Sequence, residues 1–353
     1  MGKKLYKVIL TTYGPVHVGC GEQIRKSEYI YEFHKNLVHV VSGPKLTKYL
    51  KKRELLTSFL QYLDKEKKRA DLKRFLTDNG IKQSEWAAFV VGTRRVCQGK
   101  VSKTERNQMQ RGNRRPQQNN RPMNDLHLMV RDGQGAAYIP GSSLKGALRT
   151  ALLENISDDK KDNPLFNLIQ ISDSEVIPDE RLVIYQKIDV NKEQKPMPLY
   201  RECVDAGTKI VFTLSIDDDA KLSIEEVEKR IQRFYRNYWN RWFVGVAQTE
   251  GGKEIIRGGA VPQALNAKNQ PQVIFLGGGA GFVSKTLQYQ MYEKEKAREE
   301  VFAVLQRRFR KVYGKFRETP KNVPLVLKVT VDYSKDRWYQ QGACTIAFEK
   351  LEE

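Results

Sequence analysis

Short apolar and β-branched runs alternate along the chain with stretches whose apolar residues recur at helical spacing. In the first part of the chain, Lys4–Thr12, Tyr29–Phe33, Leu37–Val41 and Trp86–Val96 are rich in β-forming residues, which predicts four strands. Between them, Lys45–Leu63 and Lys67–Leu76 place apolar residues at helical intervals among many lysines, which predicts helices.

The second part of the chain repeats this mixture of strands and helices. Strands are predicted at Leu165–Ile171, Leu182–Ile188, Lys209–Ile216, Val323–Asp332 and Ala343–Phe348, and helices at Ile224–Val246 and Glu293–Tyr313. Hairpins and crossovers mix, so the predicted class is α+β, and two ferredoxin-like βαββαβ units with helical insertions fit the element count. We divide the chain into an N-terminal domain at 1–155 and a C-terminal domain at 156–353.

The aromatic stripe of the Ile224–Val246 helix has two interpretations. Tyr235, Tyr238, Trp239 and Trp242 recur at helical spacing. Such a stripe is more often part of a core than a platform for stacking bases, and we favour the core.

Tyr138–Leu153 has the pattern of a strand end, a tight turn and a helix start. Pro140-Gly141 breaks the strand, and Ser142 or Ser143 is expected to cap the helix that follows. Leu144, Leu148 and Leu152 then recur four residues apart. This stripe predicts an amphipathic helix packed on a core.

The same helix start is a candidate anion site. Lys145 and Arg149 share a face beside the leucine stripe. A helix N-terminus with free N–H groups and adjacent cations binds phosphate well. The alternative is a surface helix with solvated cations.

The charge balance narrows the classes of partner. The 353 residues include 62 Lys and Arg against 42 Asp and Glu, a net charge of +20. Such a charge indicates a polyanionic partner, and nucleic acid is the first candidate.

Membrane, metal and cofactor roles gain no support from the sequence. No apolar stretch approaches a membrane span, and the first residues lack the layout of a signal peptide. The four cysteines and four histidines are scattered, without CxxC, HExxH or HxH, so no metal site is predicted. We expect a cytoplasmic protein without cofactor or metal.

Residues 98–123 differ in kind from the rest of the chain. Between Gln98 and Pro122 there are seven Lys or Arg, one acid and a run of Gln and Asn. This composition predicts a mobile basic arm. The arm either wraps nucleic acid and orders on binding or is a solvated insertion.

A glycine-rich turn precedes a predicted helix start in Gln272–Thr286. Within Gly279–Thr286, Ser284 stands where a P-loop needs its second glycine, and Phe282 stands where a dinucleotide fingerprint needs its third. A nucleotide-binding site at Gly279–Thr286 therefore stays an alternative hypothesis.

A second alternative is a metal-independent endoribonuclease. His17 follows a Gly-Pro turn and could act as the general base on a 2′-hydroxyl. A lone histidine without an identified partner is more often structural.

Five segments taken together resemble the RAMP superfamily of CRISPR proteins. They are GPVHVGCGE, YIPGSSLKGALRTALL, SDSE, PLYREC and GGGAGFVSKT. The resemblance is nearest to the head subunit of the type III-A Csm effector complex, which sits at the 3′ end of the guide RNA.

The resemblance implies a non-catalytic subunit that binds guide RNA (crRNA) without reading its sequence. It implies that the subunit caps the filament of backbone RAMP subunits and is needed for crRNA 3′-end maturation in antiviral defence. The implied partners are the crRNA, the backbone subunits, target RNA near the crRNA 3′ end and a host trimming nuclease, with no membrane. The implied RNA-binding residues are Gly141, Ser142, Ser143, Lys145, Arg149, Arg94, Arg95, His17, Gly278, Gly279, Gly281, Phe282 and Lys285.

Overall fold

The computed structural model describes residues 2–66, 71–94, 123–153, 164–191, 193–249, 252–253, 259, 271–332 and 334–352. Of the predicted arm only Met123 is among them, and Arg95 lies outside them. The described part mixes sheets and helices, which confirms the predicted α+β class. None of its helices combines the length and the apolar composition needed to span a membrane.

The strands of the described chain are numbered in chain order. They are β1 (Lys3–Thr12), β2 (Gln23–Ile24), β3 (Tyr29–Glu32), β4 (Leu37–Val41), β5 (Ala87–Thr93), β6 (Leu126–His127), β7 (Ile169–Ile171), β8 (Leu182–Val190), β9 (Gln194–Val204), β10 (Lys209–Asp217), β11 (Val273–Phe275), β12 (Leu327–Asp332), β13 (Arg337–Gln340) and β14 (Ala343–Lys350).

The α-helices of the described chain are numbered in the same way. They are α1 (Gly43–Lys52), α2 (Leu56–Glu66), α3 (Leu72–Asp78), α4 (Gly141–Leu152), α5 (Ile224–Tyr238), α6 (Val244–Ala247), α7 (Gln288–Met291), α8 (Lys294–Arg308) and α9 (Arg310–Tyr313). A π-helical turn, Trp239–Phe243, joins α5 to α6.

A five-stranded antiparallel sheet has the order β11-β14-β1-β10-β7. Its centre is β1, where Val8 lies opposite Phe212 on one side and Phe348 on the other. Taken in chain order, the elements β1, α4, β7, β10, α5 and β14 form a βαββαβ succession, with other strands and helices inserted between them. Strands from both sides of the predicted boundary at 155/156 therefore share this sheet.

The main core lies between this sheet and helices α4 and α5. Leu144, Leu148 and Leu152 are all buried in it, which confirms the stripe predicted for α4. The α5 aromatics Tyr235 and Tyr238 are buried in the same core. The core interpretation of the aromatic stripe is thus confirmed, because rings packed inside the protein are not available to bases.

The second sheet follows the path β2-β6-β9-β8-β5-β4-β3, and β12 joins it at β8 and carries β13. Helices α1 and α3 pack over it with their own small core, which includes Leu50, Phe75 and Trp86. The long strand β9 brings the PLYREC segment beside the N-terminal chain, where Val16 and Val204 exchange backbone hydrogen bonds. This pairing places Arg201 and Glu202 next to His17.

Candidate nucleic-acid interface

The glycine-rich loop Gly277–Gly281 leaves β11 and ends in a single 3₁₀ turn, Val283–Lys285. Gly277, Gly279 and Gly281 have φ values of +77°, +91° and +96°, a region that favours glycine. The Gly278 N–H donates to the His17 carbonyl at 2.7 Å. The loop therefore lies directly against the chain that carries His17.

A cavity of about 290 Å³, called here the helix cavity, separates the start of α4 from this loop. Its lining comprises Ser142, Ser143, Gly146, Ala147, Thr150, Phe275, Gly277, Ser284 and Lys285. The predicted anion site at the start of α4 and the glycine-rich stretch thus face each other across one space. Hydroxyls, backbone and one ammonium group border it, a combination suited to phosphate oxygens.

The cap of α4 differs from the prediction that Ser142 or Ser143 supplies it. The helix begins at Gly141, and neither serine caps it. The Gly141 N–H instead donates to Asp173 Oδ1 at 2.8 Å. The serine cap was wrong because a carboxylate from the distant SDSE segment reaches the helix end.

Lys145 and Arg149 lie outside the lining of the helix cavity. The Arg149 guanidinium lies over the Phe166 ring, 5.4 Å from its centroid. The cation that the described structure places in the cavity lining is Lys285. Contacts of Lys145 and Arg149 with RNA stay predictions.

A second cavity of about 360 Å³, called here the histidine cavity, borders the other side of the loop. It is lined by His17, Val18, Gly19, Gly21, Glu22, His127, Leu128, Arg201, Gly277, Gly278 and Lys285. It shares Gly277 and Lys285 with the helix cavity. The two cavities are therefore neighbours, with Lys285 at their junction.

A third cavity of about 370 Å³ shares His127 with the histidine cavity. Its lining includes Gln23, Lys26, Asn124 and Asp125. Shared lining residues thus connect the three cavities in a series, with the histidine cavity in the middle.

Arg201 is the functional candidate that sequence reasoning missed. Its guanidinium is half-buried, and its Nη1 lies 3.5 Å from Gln341 Oε1. Among the described residues, no carboxylate lies within ion-pair distance of the Arg201 guanidinium. Desolvation by burial lowers the pKa of Arg201. A half-buried cation without a described counter-charge is suited to an anionic ligand.

Two neighbouring arginines differ from Arg201 because each of them is paired with carboxylates. Arg131, on a nearby segment, has its Nη2 2.6 Å from Oε1 of the fully buried Glu202. Arg94 contacts Asp205 and has its Nε 3.3 Å from Asp332 Oδ2. Both arginines are thus neutralised inside the protein, and the predicted contact of Arg94 with RNA stays a prediction.

His17 is held in one orientation within the histidine cavity. Its side chain is 7% exposed, and its Nδ1 is 2.7 Å from the Glu202 carbonyl. A carbonyl can only accept, so Nδ1 carries the proton and Nε2 is left as an acceptor. Desolvation, together with the positive charge of Arg201, lowers the pKa of His17 to about 4.

The buried His17 makes the stability of the protein depend on pH. Its pKa is about 4 in the folded chain against about 6.5 in an unfolded one, so the unfolded chain binds more protons between these values. Acidification from pH 7 to pH 4 should therefore remove roughly 3 kcal/mol of unfolding free energy through this group. Urea unfolding should show that His17→Gln loses less stability than the wild type over this range; equal losses would contradict the assignment.

Phe282 and the segment Gly279–Thr286 bear on the remaining predictions. Phe282 is partly buried against the main core, and its stacking on a base stays a prediction.

The chain after the loop forms one 3₁₀ turn in place of the helix N-terminus that a P-loop offers to phosphate. The Ser284 hydroxyl is occupied by donation to the Gly281 carbonyl at 2.9 Å, so the nucleotide-binding hypothesis gains no support.

The two histidines that line the histidine cavity, His17 and His127, contact each other only through an edge-to-face arrangement of their rings. The rings of His17 and His127 are 6.5 Å apart between centroids, edge to face. Desolvation and Arg201 also lower the pKa of His127. Within the described residues, no group of three or more His, Cys, Asp or Glu side chains is arranged to hold a metal ion.

A model of the RAMP superfamily matches residues 9–307. The chain is 52% identical over 353 residues, the whole of both chains, to the CRISPR system Cms protein Csm5 of Enterococcus italicus. It is 30% identical over 317 residues, 80% of each chain, to a protein of the same name from Streptococcus thermophilus.

Two solved structures share the fold. A chain in the cryo-EM structure of a Csm-crRNA-target RNA ternary complex of a type III-A CRISPR-Cas system gives a TM-score of 0.65 at 14% identity, over 97% of this chain and 100% of that one. The crystal structure of T. onnurineus Csm5 gives a TM-score of 0.53 at 15% identity, over 82% of this chain and 96% of that one.

Proposed function

Because this chain belongs to the RAMP superfamily and, within it, to the Csm5 proteins, we propose that it is the guide-RNA-binding head subunit of a type III-A CRISPR effector. In this role it caps the backbone filament at the crRNA 3′ end and is needed for crRNA 3′-end maturation in antiviral defence. Its partners are the crRNA, the backbone RAMP subunits, target RNA near the crRNA 3′ end and a host trimming nuclease, in the cytoplasm.

The observation that carries this proposal is the junction of the two cavities at Lys285. The helix cavity offers the Ser142 and Ser143 hydroxyls, and the histidine cavity offers Arg201, with the Lys285 ammonium bordering both. Cations and hydroxyls at intervals suit successive phosphates of one strand. Contacts with phosphates do not read sequence, as a subunit that accepts every guide requires.

We also propose how the two sheets divide the work. The βαββαβ succession around β1 would be one ferredoxin-like unit, and the sheet built on β8 and β9 would supply the second. The histidine cavity combines residues of β9 with the loop that follows β11 of the first sheet. RNA bound there would contact both units.

The proposal assigns no catalysis to this chain. A general base with a pKa near 4 is a weak acceptor for a ribose hydroxyl proton at neutral pH. In the proposed assembly, target cleavage belongs to the backbone subunits and guide trimming to a recruited host enzyme.

The test uses the assembled complex, purified through another subunit. The first pair of substitutions, Ser143→Asp with Lys285→Glu, places negative charge in the helix cavity. The second pair, Lys145→Glu with Arg149→Glu, changes the neighbouring helix face. For each complex, subunit content is measured and the 3′ ends of the co-purified RNA are sequenced.

We expect the cavity pair to lose the subunit from the complex or to leave guides with long untrimmed 3′ ends. The helix-face pair shows whether RNA also contacts Lys145 and Arg149, as the sequence predicts. Unchanged subunit content and unchanged RNA ends in both pairs would overturn the proposed function.

A further inference from the structure

The histidine cavity contains an acceptor that no phosphate can use. Arg201 and Lys285 offer N–H donors to phosphate oxygens. The Nε2 of His17 offers a lone pair, since Nδ1 is occupied by the Glu202 carbonyl. A ligand that pairs with all three side chains must therefore carry a hydrogen-bond donor for His17 as well as a negative charge for Arg201 and Lys285.

The chain keeps this acceptor accessible. A Cβ at Gly19 would lie 2.8 Å from His17 Nε2, so the missing side chain leaves the approach to the nitrogen free. A Cβ at Gly278 would lie 3.4 Å from His17 Cδ2 and 3.9 Å from Arg201 Nε. The imidazole and the guanidinium thus border the same point of the loop, close enough to engage one nucleotide.

We propose that His17 Nε2 accepts a hydrogen bond from a ribose 2′-hydroxyl whose neighbouring phosphate lies against Arg201, so that the histidine cavity distinguishes RNA from DNA. This inference rests on the proposed function, because it names a contact within the same RNA site. The 2′-hydroxyl is a donor next to every RNA phosphate, and DNA lacks it. The low proton affinity of His17 keeps Nε2 an acceptor across the physiological pH range.

The experiment compares three strands of one sequence on the purified full-length protein: RNA, 2′-fluoro RNA and DNA. The 2′-fluoro strand keeps an RNA-like sugar and removes the donor. Wild-type protein is expected to bind RNA about tenfold more tightly than 2′-fluoro RNA, the equivalent of one hydrogen bond. DNA should bind no better than the 2′-fluoro strand.

Two substitutions of His17 identify the group responsible. His17→Phe keeps an aromatic ring and removes the acceptor, so the preference for RNA over 2′-fluoro RNA should disappear. His17→Gln offers a side-chain oxygen and should retain part of the preference. Gly19→Ala, whose Cβ would lie 2.8 Å from Nε2, keeps the imidazole but crowds this nitrogen, and it should reduce the preference. Thermal unfolding of each variant reports whether it folds.

The outcomes separate this inference from the proposed function. Equal affinity of wild type for RNA and 2′-fluoro RNA overturns the inference and leaves the proposed function standing. A preference that survives in both folded His17→Phe and Gly19→Ala also overturns it. If the wild-type protein shows no salt-dependent binding to any of the three strands, the proposed function and this inference are overturned together.

Discussion

Replacing Arg201 and Lys285 together with glutamate is expected to lower the affinity of this protein for RNA by roughly two powers of ten or more. Each side chain lines the histidine cavity, and a hydrogen bond to a charged group contributes about 1.5–3 kcal/mol. Two lost contacts alone account for about 3–6 kcal/mol, and the introduced carboxylates repel the phosphates. Fluorescence anisotropy with a short labelled RNA measures the effect.

The salt dependence of the same titration tests the mechanism. Binding that neutralises phosphates weakens in proportion to the counterions released, so the wild type should lose affinity steeply from about 50 to 200 mM salt. For the double variant, the slope of log affinity against log salt concentration should be shallower by the amount expected for the loss of about two phosphate contacts. A reduced affinity with an unchanged slope would place the lost energy in folding, not in phosphate contacts.

The control keeps the charge change and moves it to another surface. Arg308→Glu with Arg310→Glu alters two exposed residues that line none of the three cavities. It should reduce RNA affinity only modestly, through the net charge of +20. If this control loses as much affinity as the Arg201 and Lys285 pair, binding is a diffuse effect of net charge and the cavities are not the site.

The local parts of this site could be predicted from the sequence because local rules determine them. The four-residue spacing of Leu144, Leu148 and Leu152 predicts a buried stripe, and the stripe is buried. The three successive glycines and Lys285 mark the second stretch in the same way. In each case the pattern lies within one element, where hydrophobic periodicity and turn chemistry act.

Contacts between distant segments could not be predicted in this way. Nothing near Gly141 indicates that Asp173 accepts its N–H, and nothing near β1 indicates that β14 is its neighbour. Arg201 is one cation among 62 Lys and Arg residues. Its importance arises from the pairing of β9 beside the His17 chain and from the absence of a described carboxylate partner, and both are properties of the tertiary structure.

The close approach of the glycine-rich loop to His17 makes Gly277 a position where a single methyl group should lower the stability of the protein strongly. A Cβ at Gly277 would lie 2.1 Å from the His17 backbone oxygen, and the φ of +77° disfavours any side chain. Relief requires the loop to move, which would break the bond from the Gly278 N–H to the same oxygen. Gly277→Ala is therefore expected to reduce the unfolding free energy by about 3 kcal/mol or more.

Gly281→Ala is the matched control for this prediction. Its φ of +96° imposes a similar backbone strain, but its Cβ would meet only Lys328 Cγ, at 3.9 Å. It should lose about 1–2 kcal/mol, the cost of the backbone conformation alone. Urea unfolding of both variants measures the difference, and equal losses would contradict the close contact between the loop and His17.

The same pair connects stability to RNA binding. The position of Gly277 between the two cavities means that a displaced loop would also displace Lys285 from their junction. Folded Gly277→Ala protein should therefore bind RNA more weakly than folded Gly281→Ala protein at the same temperature and salt concentration. If Gly277→Ala loses stability but retains full affinity, the loop supports the fold without positioning phosphate, and the contacts to RNA must come from Arg201 and the start of α4.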